Sequence, residues 1–316
     1  MNIVFAGTPQ FAADHLNLLL DSQHEIKCIL TQPDRGSGRG KKVTPSPVKK
    51  IGLDNGIEVL QPVSLADESA VRALESSKPD LMLVVAYGLL IPKNVLDIPE
   101  RGCINVHASI LPRWRGAAPM EYSIYSGDEE TGISYMRMTE GLDEGPVLEV
   151  HKCKIDQQDD LGVLENKFVE LSKKSLLNFL EKFEKGELKE MPQDNSKATF
   201  APKINSIFQQ IDWQCRSEEI SQKIRSLNPK YGAFTFLGNR RVKIYKSSPI
   251  ENTSNLSPGK IDISQDEKLL VGCSQDTSIK IDEVQMEGKS VVKSEEFVRG
   301  YLSLISQEGK FSSNAQ

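Results

Sequence analysis

Residues 81–86 (Leu-Met-Leu-Val-Val-Ala) are apolar without interruption. A strand with one wet face alternates polar and apolar residues. A short run with no alternation reads as a strand buried on both faces. Two covered faces need a layer on each side, and the neighbouring sequence supplies helices to build them. Strands are predicted over 3–6, 25–31, 57–60, 103–107, 133–138 and 147–155, and helices over 11–20, 67–76, 117–126 and 161–185. The last helix carries Leu164, Phe168, Leu171, Leu176, Leu180 and Phe183 at helical spacing. Strands alternating with helices predict an α/β domain with a doubly wound, mostly parallel sheet.

The second half is patterned differently. Residues 189–203 are polar and contain Pro192 and Pro202, which predicts a linker. A helix is expected over 217–227. Short apolar segments follow at 233–237, 242–245, 260–263, 269–273 and 278–286, broken by Gly, Pro, Asn and Ser. Such a series predicts a small barrel or sandwich, with Trp213, Tyr231, Phe234 and Phe236 as core rather than stacking platforms. A closing helix is expected over 294–300 and a disordered tail over 308–316. The expected divisions are a first domain of residues 1–189, a linker of 190–208 and a second domain of 209–316.

Several function classes are disfavoured. No run in the 316 residues approaches a membrane-spanning length. The start, Met1 to Gly7, reads as a first strand and not as a signal peptide. Five scattered cysteines with no C-x-x-C pair suit reduced thiols in the cytosol, and four histidines without metal-binding spacing weigh against a metal site. With no dimer motif visible, a monomer is the expected state. Gly7 stands alone where a dinucleotide site would need Gly-x-Gly-x-x-Gly, so that reading is set aside.

Candidate chemistry sits in residues 103–116 (Cys-Ile-Asn-Val-His-Ala-Ser-Ile-Leu-Pro-Arg-Trp-Arg-Gly). Strand residues two apart share a face, so Asn105 and His107 project together while Ile104 and Val106 turn to the core. Pro112 lacks the ladder donor, so the strand gives way to a loop where these two polar groups converge. That is the place for a site at the carboxyl edge of an open sheet. Each residue alone also reads as a satisfied polar group at a strand end. As a pair, they can donate to an oxygen that turns negative during acyl transfer. No Gly-x-Ser-x-Gly elbow offers a nucleophile, which favours direct transfer to an amine. Asp143, in Gly-Leu-Asp-Glu-Gly (141–145), is either turn chemistry or an acid that orients the imidazole and handles protons.

Net charge is −5, yet residues 34–50 hold Arg35, Arg39, Lys41, Lys42, Lys49 and Lys50 against Asp34 alone. The Gly-rich part of this stretch is either a solvated loop or a basic arm that orders on nucleic acid. A second basic group comprises Arg240, Arg241, Lys243 and Lys246. In a strand, Arg241, Lys243 and Tyr245 share a face.

Val-Ala-Tyr-Gly (85–88), Ile-Asn-Val-His (104–107), Ser-Ile-Leu-Pro-Arg-Trp-Arg-Gly-Ala-Ala-Pro (109–119) and Gly-Leu-Asp (141–143) resemble the folate-dependent formyltransferases. The Phe-Ala-Gly-Thr-Pro opening, the Gln-Pro-Asp-Arg loop with Gly-Arg-Gly-Lys-Lys (32–42), Pro-Ser-Pro-Val-Lys (45–49) and Ile-Asp-Trp (211–213) resemble the branch that acts on methionyl-tRNA. Ile110, where Leu is usual, and residues 228–232 depart from that pattern. The resemblance implies a Rossmann-like formyltransferase domain followed by an oligonucleotide-binding (OB)-like β-barrel. It implies 10-formyltetrahydrofolate as formyl donor and co-substrate, no metal, and initiator methionyl-tRNA as acceptor. By the same carry-over Asn105, His107 and Asp143 are the catalytic trio. Ser109, Ile110, Leu111 and Pro112 face the folate, together with the backbone after residues 83–86. Arg39, Lys41 and Lys42 enter the acceptor-stem groove, and Arg241 and Lys243 contact the tRNA backbone. Two alternatives stay open: a formyltransferase acting on a sugar-nucleotide or purine-precursor amine, and a catalytically silent nucleic-acid-binding module.

Overall fold

The computed structural model describes residues 1–37, 42–250 and 256–314. The chain forms two compact units. One comprises Met1–Pro119, Glu130–Lys154 and Glu165–Ala201; the other comprises Met120–Glu129, Ile155–Leu164 and Pro202–Gln316.

The first unit is built on strands β1 (Asn2–Gly7), β2 (Glu25–Leu30), β3 (Val59–Leu60), β4 (Leu81–Val85), β5 (Cys103–His107), β6 (Glu130–Arg137) and β7 (Val147–Lys154). They lie in the order β7-β6-β5-β4-β1-β2-β3. The pairs from β5 through β3 are parallel, and β6 and β7 are antiparallel. This is the doubly wound, mostly parallel sheet expected from the pattern. Every residue of β4 is buried, as its unbroken apolar run requires. The strand order reverses between β1 and β4, whose carboxyl ends pair at Gly7 and Val85. Gly7 is explained by close approach: a Cβ there would lie 2.6 Å from the Ala12 Cβ and 2.9 Å from the Val85 carbonyl oxygen.

The expected elements recur with small shifts, and the limits of β5 and of helix Leu161–Lys185 coincide with the expectation. Helix Pro47–Asp54 was not foreseen inside the basic stretch. Its signal was present. Ser46 accepts the Lys49 N–H at 3.0 Å, and Pro47 occupies the first turn, where its missing donor costs nothing.

The second unit carries β8 (Ala233–Leu237), β9 (Arg240–Ile250), β10 (Ile261–Ile263), β11 (Leu269–Gly272), β12 (Ser278–Met286) and β13 (Phe311–Ser312). Their order is β10-β11-β12-β9-β8-β13, all antiparallel. Register shifts between Ile244 and Ser247 on β9 bend the sheet into a curled half-barrel. Trp213 and Phe234 are core, as expected, whereas Tyr231 and Phe236 are only half-buried. The expected tail disorder is corrected over the described part of 308–316. The closing helix runs on to Glu308 and ends at Gly309, whose φ of 67° lets its N–H reach the Ile305 carbonyl. Phe311 then pairs with Leu237, is buried, and stacks on Trp213 at 5.7 Å between ring centroids. The Phe311 N–H bond to the Gly259 carbonyl (2.8 Å) and the Thr235 hydroxyl bond to the Ser312 carbonyl (2.9 Å) hold the tail beside this stack; residues 315–316 lie outside the described residues.

Two outcomes are expected. Phe311→Ala should lower stability by about 3–5 kcal/mol, read by chemical denaturation, because it empties a packed stack; a disordered tail would give no change. The second concerns His15 on helix Gln10–Leu20. It is fully buried, donates from Nδ1 to the Phe11 carbonyl (2.7 Å) and accepts from the Ser172 hydroxyl at Nε2 (2.7 Å). Burial pushes its pKa from 6.5 down to about 4. The unfolded chain then binds a proton, below pH 6.5, that the folded chain refuses. The stability is fully present above 6.5 and is lost as pH falls toward 4. At pH 5.5 the loss is about 1 kcal/mol relative to pH 7.5, and His15→Gln should flatten that difference.

Candidate functional site

Strand β5 delivers the first two groups. Ile104 and Val106 are buried in the core, and Asn105 and His107 share the other face. The third group comes from residues 138–146, which connect β6 to β7. His107 Nδ1 lies 3.6 Å from Asp143 Oδ2, and Asn105 Nδ2 lies 3.4 Å from Asp143 Oδ1. The sequence-predicted trio is therefore brought to one place. These distances are longer than tight hydrogen bonds, so the three polar edges surround a point without saturating one another.

The imidazole is held from behind. Its Nε2 lies 3.0 Å from the Trp114 carbonyl oxygen. A carbonyl only accepts, so Nε2 carries the hydrogen and the Nδ1 edge faces Asp143. The carboxylate is held too: the Gly116 N–H donates to Asp143 Oδ2 at 2.8 Å. Gly116 has φ +121°, and a Cβ on it would sit 2.7 Å from the Ala201 carbonyl oxygen. Only glycine lets this backbone pass close enough to serve both contacts.

The stretch read as a linker supplies this support. Phe200–Ala201 pairs in parallel with Arg115–Gly116. Thr199 Oγ1 accepts the Trp114 N–H at 2.9 Å, and its carbonyl accepts the Arg115 N–H at 2.9 Å. Gln193 donates to the carbonyls of Asp143 (2.8 Å) and Gly145 (2.7 Å) and accepts from Arg115. Residues 190–201 thus fold onto the first unit, because their amides and hydroxyls satisfy the loop after β5. Gln193 and Thr199 were not singled out from the sequence, where no spacing rule links them to residues 105–107, whereas Gly116 closes the 103–116 stretch.

The four residues expected to face the folate divide into two kinds. Ser109 is buried and donates to the Arg113 carbonyl at 2.6 Å, while its own carbonyl accepts from Ser134. Leu111 packs with Met136 and Val147, and its N–H bonds Ser134 Oγ at 3.1 Å. Ile110 and Pro112 are half-buried. Ser109 and Leu111 shape that loop from within.

Of the basic residues, Arg39 and Lys41 lie outside the described residues, and Lys42 begins a short strand that pairs with Arg35–Ser37. The base of this ribbon is pinned: Lys49 bonds Asp34 and Gln61, both at 2.6 Å, and Gln61 bonds Asp34 at 2.7 Å. The Lys49 hydrogen bond holds the Asp34 carboxyl below its ordinary range. Lys49 is thereby already paired. In the second unit Arg241, Lys243 and Tyr245 share a face, opposite buried Val242 and Ile244. The Arg241 guanidinium lies 4.6 Å over the Phe234 ring, and Lys243 bonds the Tyr231 carbonyl at 2.6 Å. Burial, with Arg241 adding to it, pushes the Lys243 pKa down. Among the described residues no group of three His, Cys, Asp or Glu side chains is placed to hold a metal, and no helix is long and apolar enough to cross a membrane.

Comparison with known proteins agrees with the arrangement of both halves. The formyl transferase family pattern matches residues 1–180, and the formyl transferase C-terminal domain pattern matches residues 203–302. A methionyl-tRNA formyltransferase of Marinobacter nauticus is 43% identical over 300 residues, covering 95% of this chain and 96% of that protein. One from Pseudoalteromonas translucida is 39% identical, over 95% of this chain and 94% of that protein. Among solved structures, the sugar 3N-formyl transferase WlaRD superposes with a TM-score of 0.67 at 18% identity, covering 92% of this chain and 99% of that one. A methionyl-tRNA formyltransferase from Clostridium thermocellum gives 0.57 at 17% identity, covering 80% and 95%. These two likenesses speak to the fold. On the identity and coverage of the sequence relatives, the chain belongs to the formyl transferase family, in the branch of the methionyl-tRNA formyltransferases.

Proposed function

We propose that the chain transfers the formyl group of 10-formyltetrahydrofolate to the α-amine of methionine esterified to initiator tRNA. The observation that carries this reading is the convergence of Asn105, His107 and Asp143 on one point, in a chain about two-fifths identical to named methionyl-tRNA formyltransferases. The donor set suits a formyl carbonyl: an amide N–H and an imidazole edge face a carboxylate, with half-buried Ile110 and Pro112 beside them.

A free α-amine has a pKa near 7.7–8.0, and esterification lowers it. Much of it is neutral near pH 7, so no strong base is needed to prepare the nucleophile. The protein's tasks are alignment and charge stabilisation. As the amine adds to the formyl carbon, Asn105 Nδ2–H donates to the oxygen that gains negative charge. His107, its hydrogen held on Nε2 by the Trp114 carbonyl, turns its Nδ1 edge toward the same point as an acceptor for the proton in transit. Asp143 Oδ2 accepts the Gly116 N–H, and Oδ1, 3.4 Å from Asn105 Nδ2, takes the proton that the amine must lose. That proton passes through His107 or a water to the departing folate nitrogen as the old carbon–nitrogen bond breaks. Arg39, Lys41 and Lys42, together with Arg241 and Lys243 on β9, serve as phosphate contacts for the tRNA.

The sugar-nucleotide alternative is favoured only by a fold likeness, whereas the sequence relatives point to tRNA. Transfer of labelled formyl to charged initiator tRNA tests the function directly. A folded protein without that transfer would refute it. Asn105→Ala should lower kcat by about 10²–10³ at saturating substrates, the cost of one oxyanion donor; near-full turnover would remove Asn105 from this role. Lys41→Glu with Lys42→Glu should raise the KM for tRNA by about tenfold or more and reduce its salt dependence, with folate affinity unchanged. Unchanged kinetics would instead favour a small acceptor.

A further inference from the structure

We propose that Gln193, gripped by the buried Arg115, is a positioning residue that holds Asp143 in its working place. The proposal rests on the catalytic reading above and deepens it. Arg115 is only 4% exposed. Its Nε and Nη2 both donate to Gln193 Oε1, at 3.0 and 2.8 Å, and Nη2 also reaches Asn195 Oδ1 at 2.7 Å. Arginine has donors only, so the Gln193 oxygen must face it. The Gln193 nitrogen then faces residues 143–145 and donates to the Asp143 carbonyl at 2.8 Å and the Gly145 carbonyl at 2.7 Å. Carbonyls only accept, so chemistry fixes the amide's orientation from both sides. The guanidinium also polarises the amide, which strengthens its N–H donation.

The segment that takes this grip lies outside the sheet, with the Arg137 N–H bond to the Pro146 carbonyl (2.9 Å) at its base. Asp143 has φ +48°, in the left-handed region, and lies between strands. The next residue after Arg115 is Gly116, whose N–H binds the Asp143 carboxylate. The pair 115–116 therefore controls Asp143 twice: its backbone through Gln193 and its side chain directly. A displacement of about 1 Å at a reacting group can cost about 10²-fold in rate, so a bridge that fixes the loop's carbonyls bears directly on turnover.

The test is a double-mutant cycle between Gln193→Leu and Asp143→Asn, read by steady-state formyl transfer. Gln193→Leu should lower kcat by about 10- to 100-fold, with KM for both substrates within about threefold. In the Asp143→Asn background the same change should cost less than about twofold, because a residue that acts only through Asp143 has nothing left to position. Multiplicative losses, or a loss carried by KM alone, would overturn the proposal. If Gln193→Leu does not fold, Gln193→Glu carries the cycle. It keeps an oxygen for Arg115 and turns acceptors on the two carbonyls, so the same pattern is expected. Wild-type turnover in Asp143→Asn itself is a different result: it removes the catalytic role of Asp143, and this proposal with it.

Discussion

The hydrogen bond from the Gly116 N–H to the Asp143 carboxylate is the constraint on which the site depends. The sheet alone would not bring Asp143 to His107. Strand β6 runs antiparallel to β5, with His107 opposite Ser134 and Ile104 opposite Arg137. The chain therefore leaves β6 at the level where β5 begins. At about 3.3 Å per residue, that is roughly 10 Å from the end carrying His107. Residues 138–146 fold back over the face that Asn105 and His107 share, and no ladder guides them. Gly116 at one side and Gln193 at the other take the place of a ladder.

This explains what could be read in the sequence and what could not. Strand β5 was legible because its information is local: a period of two puts Asn105 and His107 on one face, and Pro112 marks the strand's end. Strand β4 was legible because burial on both faces leaves an unbroken apolar run. Asp143 was different. Flanked by glycines between strands, it has the chemistry of a turn, and only the family resemblance tied it to His107. The return of the loop over the sheet depends on partners 27 and 50 residues away in sequence, Gly116 and Gln193. No periodicity encodes such contacts.

The stretch 190–201 makes the same point from the other side. Its polarity and prolines predict a linker. What polarity does not reveal is whether water or protein satisfies the amides. Here Gln193, Asn195 and Thr199 spend theirs on the backbone and guanidinium of residues 114–145. Phe311 follows the converse logic. Its ring stacks on Trp213 while its N–H and the Ser312 carbonyl bond Gly259 and Thr235, so partners distant in sequence order a polar tail.

Backbone strain is distributed unevenly in a way that bears on the imidazole. Lys78, Glu267, Gln275 and Asp276, four of the non-glycine residues with positive φ, sit on exposed turns. Trp114 does not: it is buried at φ +63°, a conformation that costs about 1–2 kcal/mol for a side chain with a Cβ. The surroundings hold it there. Its N–H bonds Thr199, and the Arg113 guanidinium lies 4.2 Å over its ring. The consequence is the direction of its carbonyl, which points at His107 Nε2. That acceptor places the hydrogen on Nε2 and turns Nδ1 toward Asp143 and Asn105. A relaxed turn at residue 114 would point the carbonyl elsewhere and leave the ring free to choose its tautomer. The strain at Trp114 is therefore coupled to which edge of His107 meets Asp143.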